Sequence, residues 1–351
     1  MLHHRADPRK VSRAYLYSIV AKAEGVEFFY FTPGKVDIEN ETIMGKYYEN
    51  GVWIDKKYPF PDAIYNASIL STVKSERIID YLSERIPFTS HSVGDKLSVH
   101  KRIEKGKKFT EFLIPTFELS QVKELLDMMN RYPKIVIKPV TGNQGDGILF
   151  IEKKDNENFM MNDAGKILHL KKEDLLNLAS HKMKGKEYIV QRFISCQMKS
   201  GHVYDFRLHV QKNGEGKWVI TSIYPRIGPL GSVTSNLGSG GYTAFLDGFL
   251  QKEFNDDWLK VKRTLENFSL NFSNHFDSLY DDVSFDELGI DVGLDKNQGL
   301  WLFEVNWRPG PPVIYNCELD VARNTVLYAK YLANKNKNFS SENRNRKNLN
   351  E

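Results

Sequence analysis

Cysteine is scarce in this chain: Cys196 and Cys317 are its two, with no CxxC pair and no Cys/His grouping. That usage excludes a disulfide framework and a zinc site, and both residues read as ordinary thiols. Long apolar runs are also missing. No stretch approaches the roughly eighteen apolar residues of a membrane-spanning helix, and the opening MLHHRADPRKVSR has no apolar signal core. No membrane span and a cytoplasmic location are therefore expected. Nor does one sign of charge dominate, because 49 basic and 45 acidic side chains leave a formal +4. That balance describes a solubilising surface and not the basic footprint of a nucleic-acid binder. The basic cluster KRIEKGKK, Lys101 to Lys108, reads as a solvated loop, and no nucleic-acid partner is expected. Internal repeats and a Walker A loop are absent too.

What is present is a mixed globular composition, 351 residues with 41% apolar content, enough for two or three lobes with buried cores. VEFFYF, Val26 to Phe31, reads as a buried strand, and Ser75 can cap a helix with Ile78, Ile79, Leu82 and Ile86 on its apolar face. Residues 1–92 thus form a small α/β lobe, and 93–333 a larger α+β unit. In that unit Ser120 opens a helix stopped by Pro133, and strands follow at Ile135 to Val140, Gly147 to Glu152, Glu187 to Gln191, Asp205 to Gln211 and Lys217 to Tyr224. A helix from about Asp257 to Phe276, strands Gly289 to Asp295 and Leu300 to Asn306, and a helix from about Asp320 to Ala333 complete it. The Asn-rich end, 334–351, has nothing to bury and is expected to be disordered.

Three segments carry chemistry. In IVIKPVTGNQGDGILF a buried strand ends at Lys138 and feeds a loop with Gly142, Gln144, Gly145 and Gly147. Such glycines let backbone N–H groups approach phosphate oxygens, and an ammonium at the end of an apolar strand calls for an anion. In LGIDVGLDKNQGLWLFEVNWRPGPP, Glu304 and Asn306 are two apart and share a strand face. A four-residue turn at Lys296 to Gly299 would put Asp291 opposite Glu304, gathering oxygen donors that suit Mg²⁺. In DFRLHVQ, Asp205, Arg207 and His209 share a face; Arg207 can clamp a phosphate or carboxylate, Asp205 can hold its guanidinium, and His209 reads as a surface residue.

Taken in order, these segments resemble the ATP-grasp superfamily, and most closely its YheC/YheD-type endospore coat-associated group, over roughly Asp95 to Ala333. The motifs are the "DKL" of Asp95-Lys96-Leu97, the strand Lys138-Pro139, the Gly flap, a hinge in YIVQRFIS, "DFR", and the final "EVNWRPG". The resemblance implies two α+β lobes sandwiching ATP behind the N-terminal lobe, with ATP and Mg²⁺ as cofactors. Lys96 and Lys138 would contact the phosphates, and Gln191, Arg192, Phe193 and Ile194 would form the adenine hinge. Asp291, Glu304 and Asn306 would hold magnesium, while Arg226, Asn236, Gly240, Gly241 and Arg308 would serve the substrate side. Lys138, Arg207 and Arg308 would act in catalysis. Gln191-Arg192 stands where many relatives carry an acidic pair, which leaves ribose recognition unassigned and Glu187 as its candidate substitute.

The implied function is ATP-dependent joining of a carboxylate, on a small molecule or peptide, to an amine or thiol through an acyl phosphate, in the cytoplasm and in association with spore coat proteins. Two other readings fit the same motifs: a nucleotide-binding assembly protein of the spore envelope without turnover, and a small-molecule kinase.

Overall fold

A computed structural model describes residues 1–67, 72–141, 147–163, 165–281, 283–313 and 317–348. In the N-terminal lobe, α1 (Ser12–Ala23) precedes a meander of β1 (Val36–Asp37), β2 (Thr42–Glu49) and β3 (Val52–Pro59), followed by α2 (Val73–Ser83). The β2–β3 hairpin turns at Asn50-Gly51, both at positive φ (48° and 86°), as a tight hairpin of right-handed strands requires. The expected strand over Val26 to Phe31 is a correction: the run makes isolated bridges, Tyr30 to Lys46 and Phe31 to Leu2. Its apolarity reports burial instead of pairing, since Phe29 and Phe31 pack with Ile43, Tyr58 and Leu82. Helix α2 is capped by Thr72, whose hydroxyl accepts from the Ser75 N–H at 3.2 Å, so Ser75 lies inside the first turn.

Asp95 caps α3 (Lys96–Gly106) by accepting from the N–H groups of Leu97 and Ser98, both at 2.9 Å. Most of the basic run at Lys101 to Lys108 is therefore helical, with Ile103 turned into the core. The central lobe contains β4 (Thr116–Leu119), α4 (Val122–Arg131), β5 (Lys134–Pro139), β6 (Leu149–Lys153), β7 (Asn158–Asp163), β8 (Lys166–Lys171), α5 (Lys172–Met183) and β9 (Tyr188–Arg192). Its six strands run in the order β4-β9-β5-β6-β7-β8. Helices α4 and α5 bury Leu125, Met129, Leu175 and Ala179 against Ile135, Ile137 and Val190 of that sheet. The cap of α4 is Gln121, in a capping box with Glu124, one residue past the expected Ser120.

The C-terminal lobe contains β10 (Tyr204–Lys212), β11 (Trp218–Ile227), β12 (Tyr242–Thr243), α6 (Leu246–Phe254), α7 (Trp258–Asp277), β13 (Glu287–Leu294), β14 (Leu300–Asn306) and α8 (Cys317–Asn348). The strand order is β12-β11-β10-β13-β14. All strand pairings among the described residues are antiparallel, and the fold is α+β. Helix α7 buries Val261, Leu265, Phe268, Phe272 and Phe276 along one stripe, on β10 and β13 residues such as Phe206 and Ile290. The chain's polar end is a second correction: α8 continues to Asn348 instead of stopping near Ala333. Its early turns are anchored by Val321, Ala322 and Val326, which nucleate the helix. No helix among the described residues is long and apolar enough to cross a membrane.

Phe272 is fully buried and stacked between Phe268 and Phe276, with centroids 5.2 and 5.4 Å away. Phe272→Ala is expected to destabilise the fold by about 3–5 kcal/mol, read as a lower denaturation midpoint in urea.

Candidate active site

The six-stranded sheet presents β5 and β9 to the β13–β14 end of the five-stranded sheet, and α3 closes one side. Two adjoining cavities of about 360 and 560 Å³ occupy the space between. They share Lys138, Gln191, Phe303, Glu304 and Asn306 in their walls.

The β13–β14 hairpin pairs Asp291 with Glu304 by a route that differs from simple alternation. Its loop is Asp295–Gly299, one residue longer than expected, because Leu294 pairs with Leu300. The Asp295 carboxylate organises the loop, accepting from the N–H groups of Asn297 at 2.9 Å and Gly299 at 3.0 Å and from the Trp301 indole at 2.8 Å. A bulge at Phe303 then restores the register, so Val292 faces Leu302 while Asp291 faces Glu304. Phe303 lines both cavities beside Glu304. Gly293 leaves room for that ring: a Cβ there would lie 2.4 Å from Phe303 and 2.5 Å from the Cys196 Sγ.

Asp291 lies between two guanidinium groups. Arg207, its direct neighbour on β10, donates to it from Nε at 2.5 Å and Nη2 at 3.2 Å, and Arg226 on β11 approaches to 3.0 Å. Arg226 also donates to Asp205, its own cross-strand neighbour, at 2.7 and 2.6 Å. Asp205 therefore holds Arg226 and not Arg207, a correction set by the register. Burial opposes ionisation of Asp291, but Arg207 and Arg226 outweigh it and hold the carboxyl below its ordinary range. His209 is a further correction: it is fully buried, with Nε2 2.8 Å from the Glu287 carboxylate, because β10 is an interior strand.

The lysines approach from the other side. Lys96, in the first turn of α3, stands 3.5 Å from the Glu304 carboxylate. Burial pushes the Lys138 ammonium down to about 8; Glu304 opposes the shift, Lys96 adds to it and Asp291 opposes it. A polyanion between Lys96 and Lys138 would relieve their mutual repulsion. Asp291, Glu304 and Asn306 supply two carboxylates and an amide oxygen, the hard donors that Mg²⁺ takes alongside phosphate oxygens, so the set fits that ion.

Arg192, Phe193 and Ile194 line the second cavity with Arg207, Arg226 and Asn236, and Gln191 fixes its amide on the Thr116 hydroxyl at 2.6 Å. Arg308 lines the same cavity and stacks 3.8 Å over the Trp307 ring. Burial pushes its guanidinium down to about 10, with Tyr65 and Asp286 opposing. Gly240 and Gly241 line neither cavity. Gly241 shapes the turn instead, since a Cβ there would meet the Asn236 carbonyl at 2.8 Å. Glu187 is exposed and faces neither cavity. Gly142, Gln144 and Gly145 fall outside the described residues; Gly147, at φ 73°, lies against Pro139. Sequence reasoning missed Phe303, whose only signal is an irregularity that pairing reveals, and His100, one turn after Lys96 in the first cavity.

Two antiparallel sheets closing on a cleft, lysines from one side and paired carboxylates from the other, define an ATP-grasp fold. The sequence model of the family described as YheC/D like ATP-grasp matches residues 85–332. The chain belongs to that family. It is 28% identical over 328 residues to the endospore coat-associated protein YheD of Bacillus subtilis (strain 168), covering 88% of this chain and 71% of that one. Among solved structures, D-alanyl-alanine synthetase A from Vibrio cholerae O1 biovar eltor shares the fold at TM-score 0.54 and 13% identity, over 95% of this chain and 96% of that one. A RiPP-associated ATP-grasp ligase from Chryseobacterium gregarium, solved with ADP and a leader and core peptide, does so at TM-score 0.51 and 12% identity, over 95% and 96%.

Asp205→Asn removes one carboxylate from the buried array and leaves Arg226 short of a partner. A loss of about 3–5 kcal/mol in unfolding free energy is expected, measured by denaturant titration.

Proposed function

We propose that this chain is a Mg-ATP-dependent ligase that activates a carboxylate as an acyl phosphate and joins it to an amine or thiol. One observation carries the reading: Lys96, Lys138, Glu304 and Asn306 converge on cavities whose walls also hold Arg207, Arg226 and Arg308 beside the hinge residue Arg192. The apolar stretch beside the hinge, with Val136, Ile148 and Phe303, suits an adenine ring, and the hinge backbone its edge. Lys96 and Lys138 would bind the phosphates, and Arg308 would hold the acceptor carboxylate. The carboxylate oxygen forms a bond to the γ-phosphorus as the bond to ADP breaks; the amine then attacks the acyl carbon, phosphate leaves, and the amine gives up a proton. Mg²⁺ held by Asp291, Glu304 and Asn306 would neutralise charge on the phosphates. Lys138 and Arg207 would stabilise the transferred group, so catalysis is positioning and electrostatics with no protein nucleophile. The coat-associated name of the YheD relative supports a role on, or alongside, spore coat components, which this chain would carry out in the cytoplasm.

Calorimetric titration is expected to show ATP binding that depends on Mg²⁺ in the wild type and is lost in Asp291→Asn/Glu304→Gln; binding that survives in the double variant removes the metal assignment. With hydroxylamine as trap, ATP and a panel of carboxylates are expected to give hydroxamate, whereas phosphorylation of a hydroxyl without hydroxamate would favour a kinase. Lys138→Ala and Glu304→Gln are expected to lower that rate by about 10²–10³ while remaining folded, and wild-type turnover in either would overturn their roles.

A further inference from the structure

The segment after β14 carries Arg308, Pro309 and Gly310 into the wall of the second cavity, yet a principal restraint on it comes from the far end of the chain. Arg13, in the first turn of α1, donates from Nη2 to the Pro309 carbonyl at 3.1 Å, across 296 sequence positions. Its Nη1 donates to the Tyr65 hydroxyl at 3.2 Å, so a second N-terminal residue fixes the direction of the guanidinium. Helix α1 is seated firmly enough to act as a support, since Ala14, Tyr17 and Val20 pack with Ala322 and Val326 of α8. Beneath the segment lies Gly289 of β13: a Cβ there would be 2.5 Å from the Pro309 Cβ and 3.1 Å from the Arg207 Nη1. Pro309 therefore rests directly on the sheet, gripped from above by Arg13, and the same bare position admits Arg207. A charged donor to a buried carbonyl is among the stronger hydrogen bonds, and its planar fork holds direction as well as distance.

We infer that Arg13 is a positioning residue for the Arg308–Gly310 segment, so that the N-terminal lobe completes the acceptor side of a cleft whose nucleotide side the other two lobes build. The acceptor role rests on the ligase reading; the positioning itself does not.

The test compares the full-length wild type with Arg13→Met, Arg13→Lys and Gly289→Ala in two measurements. Amide hydrogen exchange in Mg-ADP is followed by mass spectrometry over residues 287–306 and over 307–313, where Trp307, Arg308, Gly310 and Val313 carry the exchangeable N–H groups, with ADP affinity measured alongside. Hydroxamate formation is followed with a mixture of free amino acids and short peptides as carboxylates and hydroxylamine as trap. Arg13→Met is expected to speed exchange over 307–313 by about tenfold, leaving 287–306 and ADP affinity unchanged, and to raise the carboxylate KM about tenfold at constant KM for ATP. Arg13→Lys, which keeps a donor for the carbonyl, is expected to recover most of both effects, and Gly289→Ala to loosen the same segment. Unchanged exchange in Arg13→Met overturns the positioning role whatever the activity. Faster exchange with an unchanged carboxylate KM overturns its link to the acceptor. A wild type that binds Mg-ADP but forms no hydroxamate overturns the ligase reading and the acceptor role with it, and the exchange result then decides the positioning role by itself.

Discussion

Four charges on three neighbouring strands, Asp205 and Arg207 of β10, Arg226 of β11 and Asp291 of β13, hold the cleft end of the C-terminal sheet together. Each is nearly buried, so none is tolerable without its partners, and the sum of two carboxylates and two guanidinium groups is zero. The array demands one register. A slip of one residue on any of the strands would turn its members to opposite faces and leave uncompensated charge inside the lobe. Glu304 and Asn306 are placed by the same demand, because β14 is aligned on β13 through the Asp291–Glu304 pair.

That array also orders the electrostatics of the cleft. Asp291 is paired with Arg207 and Arg226, and Glu304 is the carboxylate that faces Lys96 and, at longer range, Lys138. The lysines are held close together in a poorly hydrated place, and burial lowers the basicity of Lys138. Two such cations favour a ligand bearing several negative charges, since its binding removes a repulsion already built in. The N-terminal lobe stands outside the array but touches its outcome, because Arg13 and Gly289 determine where the Arg308–Gly310 segment lies.

Much of this was legible in one sequence. Strand alternation placed Asp205 with Arg207, and Glu304 with Asn306, on common faces, and the spacing of aromatic residues marked the buried stripe of α7. Motif order pointed to the family. Where the reading failed, it failed on pairing. VEFFYF is apolar enough for a strand but finds single bridges, and His209 looked peripheral because nothing in DFRLHVQ reveals that β10 lies between two other strands. The Asp291–Glu304 pair was expected through a four-residue turn; it arises from a longer loop offset by a bulge at Phe303, two irregularities that cancel.

The sequence by itself thus determined which residues share a strand face and which segments must be buried, because backbone geometry and the hydrophobic effect act locally and leave a period in the chain. Tertiary structure alone decided which carboxylate meets which guanidinium, that Phe303 shares the cleft with Glu304, and that Arg13 reaches Pro309. Those outcomes depend on strand register and on the packing of one lobe against another, where a shift of a single residue or an absent side chain at Gly289 changes the partner without altering any local pattern.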